Sequence, residues 1–328
     1  MLKIGVLGVG HLGKIHVKCI RELPHYDLVG FYDPDVAKAR AITEQYGLHC
    51  FESAEALLEA VDVVDIVTPT LTHFELAKAA IAKGKHLFIE KPLTDTRAQA
   101  VQLLELARQS PKLKIQVGHV ERFNPAMQAL ENEEVDPMFI EAHRLAVFNP
   151  RGTDVSVVLD LMIHDLDIVL HLVKSPIRYI SASGVAVVSD QPDICNARLE
   201  FENGCVANLT ASRMSIKQMR KLRLFQRDAY ISLDFMNKQA QLIRLHDSPQ
   251  SEDSQMELHT SNGIKYLDIS MPPVQAVNAI QLELQKLAES IVADQPTAIG
   301  LEDGYKALDV AHRILEEVNR RLRETSLS

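Results

Sequence analysis

The chain has 328 residues, enough for one large domain or two ordinary ones, and a formal net charge of −9, which removes any global electrostatic drive toward nucleic acid. It has no tryptophan and 5% aromatic residues, which argues against base-stacking platforms. No apolar run is long enough for a membrane span, and the opening MLKIGVLGVG reads as strand and turn rather than as a signal peptide. The four cysteines, Cys19, Cys50, Cys195 and Cys205, show no zinc-like spacing, so no metal centre is expected and a reduced, cytoplasmic protein is the plain reading.

Residues 2–7 form a short apolar run, the pattern of a buried parallel strand. It leads into Gly8-Val9-Gly10-His11-Leu12-Gly13 and then a helix stopped by Pro24. This is G-x-G-x-x-G in its proper setting. Gly8 permits the tight turn, Gly10 lets the backbone approach a pyrophosphate, and Gly13 lets helix pack close on strand. The helix N-terminus then offers free N–H groups to the phosphates. A second strand, residues 27–32, ends at Asp33, about 20 residues past Gly13, where an acid accepts from the adenosine ribose hydroxyls. A carboxylate there repels a 2′-phosphate, and no cation follows at once, so NAD is preferred over NADP.

Helices at 34–46, 54–60, 74–83 and 97–109 then alternate with strands at 48–51, 63–67, 86–89 and 113–117. Ser53, Thr72 and Asp95 serve as caps. This alternation predicts a doubly wound parallel sheet, with its ligand beyond the carboxyl ends of the strands. That rim carries the Gly8 loop, Asp33, Thr68-Pro69, Glu90-Lys91 and Gly118-His119. The expected cofactor contacts are Gly8, Val9, Gly10, His11, Leu12, Gly13, Asp33, Thr68, Pro69, His73, Glu90 and Lys91. Lys91 precedes a proline, which forces extended geometry and makes the bond a candidate for cis. A partly desolvated lysine here is suited to donating to a substrate oxygen, although most lysines are simply solvated.

Beyond about residue 120 the pattern changes. Strands are predicted at 138–148, 177–188, 196–201, 205–211, 222–225, 229–235, 239–245 and 264–269, with Asn203-Gly204 as a hairpin turn. No helix interrupts 177–245, so this sheet is expected to be large, open and mainly antiparallel. A polar, acidic loop covers 249–257, and helices span 276–293 and 301–323. The predicted organisation is a dinucleotide-binding domain at 1–120 and an α+β substrate and oligomerisation domain at 121–328, the last helices packing back on the first. An open sheet needs a cover, and a second subunit supplies one, giving a homodimer or homotetramer.

Residues 156–173, SVVLDLMIHDLDIVLHLV, are apolar on nearly every side, the mark of a buried helix. Asp160, His164, Asp167 and His171 nevertheless fall on one helical face. Ionisable groups in a core must be paired or face a wet cleft. The stripe is therefore either a self-satisfied set of His–Asp pairs or a catalytic face. A metal-ligating reading of Asp160, His164 and His171 leaves the glycine loop without a role.

Taken together, GVLGVGHLGKIH, AKGKHLFIEKPLT, VGHVERFNPA and VLDLMIHDLD, in that order, resemble the Gfo/Idh/MocA oxidoreductases over nearly the whole chain. The resemblance implies that Lys91 is the catalytic lysine, His164 the catalytic base and Asp160 its neighbouring acid, with hydride transfer from a sugar carbon to the nicotinamide. It gives His171 no role, and the glycine run that often precedes the histidine motif is here Asp154-Val155-Ser156-Val157. RFNPAM, LEFENGCVANLTASR and RKLRLFQRDAYISLDF are similar to the subgroup acting on UDP-N-acetylglucosamine at C3, ahead of amination in diamino-sugar and lipid A synthesis. For such a diphosphate substrate the expected contacts are Lys91, Arg122, Asn124, Arg151, Asp160, His164 and Arg213. The alternatives are an inositol or other polyol dehydrogenase, and a dinucleotide-binding regulator without catalysis, which has no need of the acid–base set. Neither nucleic acid nor membrane is expected as a partner.

Overall fold

The computed structural model describes residues 1–149, 155–248, 256–261 and 263–326. In chain order the first elements are β1 (Leu2–Leu7), α1 (His11–Glu22), β2 (Tyr26–Tyr32), α2 (Val36–Tyr46), α3 (Ala54–Ala60), β3 (Val63–Ile66), α4 (His73–Ala82), β4 (His86–Glu90), α5 (Arg97–Gln109) and β5 (Ile115–Gly118). There follow α6 (Pro125–Gln128), β6 (Phe139–Leu145), α7 (Ile163–Leu172), β7 (Ile177–Val185), β8 (Ile194–Phe201), β9 (Val206–Ser212) and β10 (Met219–Phe225). The last are β11 (Ala229–Asp234), β12 (Gln239–His246), β13 (Met256–Thr260), β14 (Gly263–Ser270), α8 (Ala279–Val292) and α9 (Leu301–Ser326).

Two compact units result: Met1–Val120 with Val277–Asp309, and Glu121–Ala276 with Val310–Ser328. Residues 277–309, which a simple division at 120 assigns to the second domain, thus group with the first. The physical reason lies in α8. Leu284, Leu287 and Ala288 are fully buried in the same core as Ile4, Val6, Val17, Ile20 and Phe88.

The first unit is a five-stranded sheet in the order β2-β1-β3-β4-β5, with every pairing parallel. The order reverses between β1 and β3, the switch point beyond which doubly wound sheets hold their ligands. β3 is buried at all four positions and β1 at its last four, the continuous apolar run of a strand covered on both faces. Residues 48–51, expected as a strand, make a single bridge, Phe31 to Cys50. Ser53 caps α3 by accepting from Ala56 N–H at 3.1 Å. α5 is capped by Thr96, one residue after the expected Asp95. The Thr96 hydroxyl accepts from Gln99 N–H while the Gln99 side chain accepts from Thr96 N–H, a reciprocal capping box.

The second unit is a nine-stranded sheet in the order β13-β14-β12-β11-β10-β6-β9-β8-β7. All its pairings are antiparallel except β6 with β9. Its strands alternate. Ala142, Leu199, Leu209, Leu222 and Leu233 point into one apolar cluster, joined by Val158, Leu166 and Val169 and by Val310, Ile314 and Val318 of α9. β13 was not legible in the sequence because all five of its residues are exposed and carry no burial pattern. Residues 249–255 of the expected acidic loop lie outside the described residues, and Met256 and Glu257 are strand. Among the described residues no helix is long and apolar enough to cross a membrane.

Thr96→Ala removes one half of the capping box and is expected to cost about 1 kcal/mol of stability, read as a lower urea midpoint.

Candidate functional site

The first unit holds a cavity of about 600 Å³ at the carboxyl end of its sheet. Gly8, Gly10, His11, Leu12, Asp33, Thr68, Pro69, Glu90 and Lys91 line it, while Val9, Gly13 and His73 do not. The glycines follow from space. Gly8 has φ +88°, and a Cβ there would lie 2.8 Å from the Val67 carbonyl oxygen. A Cβ on Gly13 would stand 2.0 Å from the Gly8 carbonyl oxygen, so no larger residue permits this approach of α1. A Cβ on Gly10 would meet nothing within 4 Å, leaving its backbone open to a ligand. Asp33 is held rigidly: Oδ2 accepts from Val9 N–H at 2.8 Å and Oδ1 from Asp35 N–H at 2.9 Å. Open backbone at a helix N-terminus, a fixed acid and a cavity of this size fit a dinucleotide.

His73 acts beneath the cavity. Its Nδ1 lies 2.9 Å from the Pro92 carbonyl oxygen and its Nε2 2.9 Å from that of Thr68, so it sits between the loops after β3 and β4, and as a neutral imidazole it donates to one of the two carbonyls. Burial lowers its pKa. The Lys91–Pro92 peptide bond is cis. Lys38 also lines the cavity, with Nζ 3.0 Å from Asp35 Oδ2. Lys38 does not stand out in the sequence because it lies five residues beyond Asp33, one helical turn past the Asp35 cap of α2.

In the second unit the segment read as one helix from 156 to 173 is two pieces. Val158–Met162 form a π-helical turn that runs into α7. Such turns insert i→i+5 bonding into a helix and recur at functional sites. Asp160 sits in the π turn and His164 in the first turn of α7, both half-buried. The remaining polar groups of this helix are engaged with arginines. Asp167 receives the Arg122 fork at 2.7 and 2.6 Å, and a third Arg122 nitrogen lies 3.1 Å from His171 Nδ1. Asp165, which lies off the predicted stripe, receives the Arg144 fork at 3.0 and 2.8 Å, and Arg144 also donates to Glu121 at 2.7 Å. Burial opposes the charge on Arg144, but Asp165 and Glu121 outweigh it and raise its pKa.

The expected substrate contacts therefore divide. Asn124 caps α6 through Ala126 N–H and donates to Glu121 and to the Phe235 carbonyl, which uses its amide inside the unit. Arg122 is buried on Asp167, and Arg213 is buried with a hydrogen bond to the Val155 carbonyl. Arg151 lies outside the described residues. The missed trio, Arg144, Asp165 and Glu121, had one sequence signal. Arg144 follows Ile140 and Ala142 in the buried register of β6, where an arginine needs a buried acid.

Arg144→Ala leaves buried Asp165 without its arginine fork and Glu121 with only Arg220, 3.6 Å away, and is expected to cost roughly 3–5 kcal/mol by urea unfolding. Arg320→Ala, on the exposed face of α9, is expected to leave the midpoint unchanged.

Comparison with known proteins bears on the whole chain. Residues 2–119 match the oxidoreductase family, NAD-binding Rossmann fold, and residues 140–232 match the GFO/IDH/MocA C-terminal domain. The chain is 41% identical over 237 residues to UDP-N-acetylglucosamine 3-dehydrogenase of Acidithiobacillus ferrooxidans, covering 72% of this chain and 75% of that protein. It is 28% identical over 233 residues to scyllo-inositol 2-dehydrogenase (NAD(+)) of Bacillus subtilis, covering 65% of this chain and 68% of that one. A solved structure of the Acidithiobacillus enzyme superposes with a TM-score of 0.87 at 33% identity over 97% of each chain. The scyllo-inositol dehydrogenase of Lactobacillus casei shares the fold, with a TM-score of 0.78 at 22% identity, covering 98% of this chain and 97% of that one. The chain belongs to the Gfo/Idh/MocA family of NAD-binding oxidoreductases.

Proposed function

We propose that this protein oxidises the C3 hydroxyl of UDP-N-acetylglucosamine with NAD. The likeness to the Acidithiobacillus enzyme carries this reading, since it is well above the likeness to the inositol dehydrogenases. Bound NAD supplies the hydride acceptor. Lys91 Nζ donates a hydrogen bond to the substrate oxygen and polarises it. His164 takes the hydroxyl proton on its imidazole, and Asp160 orients His164 or holds a neighbouring sugar hydroxyl. Arg122, Asn124 and Arg213, already engaged with protein partners, shape the substrate wall rather than bind the diphosphate. The 3-keto sugar nucleotide then feeds an amination, as in diamino-sugar and lipid A synthesis. The fixed carboxylate of Asp33 supports NAD over NADP by repelling a 2′-phosphate. A polyol dehydrogenase is the second reading, supported by the inositol relatives.

The outer sheet face supports a homo-oligomer. Phe139, Phe225 and Tyr230 form a partly exposed aromatic run on it, with ring centroids 5.9 and 5.0 Å apart. The four free cysteines accord with a reducing cytoplasm.

His164→Ala is expected to lose at least about two orders of magnitude in turnover while still binding NADH; near-native turnover removes the assigned base. Purified protein with NAD⁺ and a coupled aminotransferase is expected to reduce the cofactor on UDP-N-acetylglucosamine, and a preference for myo-inositol in the same absorbance assay overturns the substrate. The Michaelis constant for NADPH is expected to exceed that for NADH.

A further inference from the structure

Beneath the Lys91 loop lies a set of ionisable side chains that the proposed chemistry does not use. His16 on α1, Asp65 on β3 and Glu283 on α8 are fully buried, and Glu90 at the end of β4 is 7% exposed. His16 Nδ1 lies 2.9 Å from Asp65 Oδ2, and its Nε2 lies 3.2 Å from Glu90 Oε1. Ligand atoms of His16, Glu90 and Glu283 fall within 4.8 Å of one another. Among the described residues, neither carboxylate oxygen of Glu283 has a hydrogen-bond partner, and neither do His16 Nε2 and Asp65 Oδ1. Its backbone carbonyl is fixed by Gln116 Nε2 at 2.6 Å, and the next carbonyl, of Leu284, by the Tyr26 hydroxyl at 2.8 Å. α8 therefore holds the acid in place.

Asp65 and Glu283 in the interior and Glu90 at the cavity wall cannot all be charged beside one neutral imidazole, because unpaired buried charge is costly. Protons on His16 and Glu283 leave a single net negative charge. An imidazolium between Asp65 and Glu90 faces a carboxylate oxygen on each side. Burial alone draws His16 toward neutrality, but the charges of Asp65 and Glu90 and the hydrogen bond with Asp65 outweigh it and raise its pKa well above the ordinary value. Burial, with Glu90 close by, pushes Glu283 well above the carboxylate range. Burial raises Asp65 as well, and the other titratable groups facing the set are Cys19 on α1 and Tyr26 on β2, both raised by burial, and His73 on α4, lowered by burial beside Glu90.

The set reaches the site through Glu90. Its Oε2 accepts from Lys91 N–H at 3.0 Å. Gly118 on β5 makes room for it, since a Cβ there would stand 3.0 Å from Glu90 Cδ. We propose that His16, Asp65 and Glu283 are positioning residues: they form a buried cluster that holds the Glu90 side chain fixed, and through it set the backbone of Lys91. This rests on the reading of Lys91 as the residue that polarises the substrate oxygen.

The test uses the full-length protein. In ¹⁵N-histidine-labelled protein, His16 is expected to show both ring nitrogens protonated at pH 7.5, the assignment made by loss of the signal in His16→Gln. A neutral His16, or a stoichiometric divalent ion found by elemental analysis of the purified protein, overturns the proton assignment. Glu283→Gln, an amide in place of a neutral acid, is expected to keep the urea midpoint of the native protein; a large fall shows that Glu283 is ionised and overturns the cluster. In turnover, His16→Gln is expected to lower kcat at least tenfold, change the pH profile of kcat and leave NADH affinity within about threefold. A parallel loss of NADH binding, or an unchanged pH profile, reduces His16 to a structural role and overturns the positioning claim. Lys91→Met separates the two readings, because full turnover in that variant removes the lysine assignment while the His16 signals stand.

Discussion

Both units are governed by the cost of keeping charge away from water. In the second unit Arg144 takes Asp165 and Glu121, and Arg122 takes Asp167, so the acids of α7 that face the interior are neutralised by bidentate forks. Asp160 and His164 stay half-buried one step away on the same segment. The pairing sorts the helix: the acids spent on arginines fix its rotation, and the fixed rotation decides which acid and imidazole remain at its partly open edge. In the first unit the same constraint gathers His16, Asp65, Glu90 and Glu283 into one set, where protons rather than arginines offset the charge.

Close approach of backbone to backbone is the second constraint. Gly13 against the Gly8 carbonyl brings α1 onto the sheet, and the open backbone at Gly10 leaves a ligand free access to the helix start. Asp33, held by two N–H groups, and the His73 ring between the Thr68 and Pro92 carbonyls stiffen the cavity from either side. A preorganised loop set of this kind spends little ordering entropy when a dinucleotide binds.

Local pattern made much of this legible. The glycine loop, Asp33 and the strand–helix alternation are short-range signals, each needing only its own neighbours. The alternating strands of the second unit announced a sheet covered on one face. The π turn at Val158–Met162 was not legible, because a run of Val, Leu and Met supports α and π hydrogen bonding alike. The capping of α5 by Thr96 rather than Asp95 turned on a single residue of phase. β13 left no trace because none of its side chains is buried.

By itself the sequence determined the fold class and the dinucleotide loop, because those depend on periodicity and on residue type at fixed spacing, and its motifs carried the resemblance that pointed to the family. Tertiary structure decided which polar groups are available. Arg122, Asn124 and Arg213 are expected as substrate contacts from the chain alone, and each meets an acid or a carbonyl brought to it from 45 to 111 residues away along the chain. Asp165 lies off the polar stripe of its helix and Glu283 sits in a helix with no such stripe, yet both are interior. Whether a charge faces solvent or a partner is fixed by what other strands and helices place opposite it, and no local pattern records that.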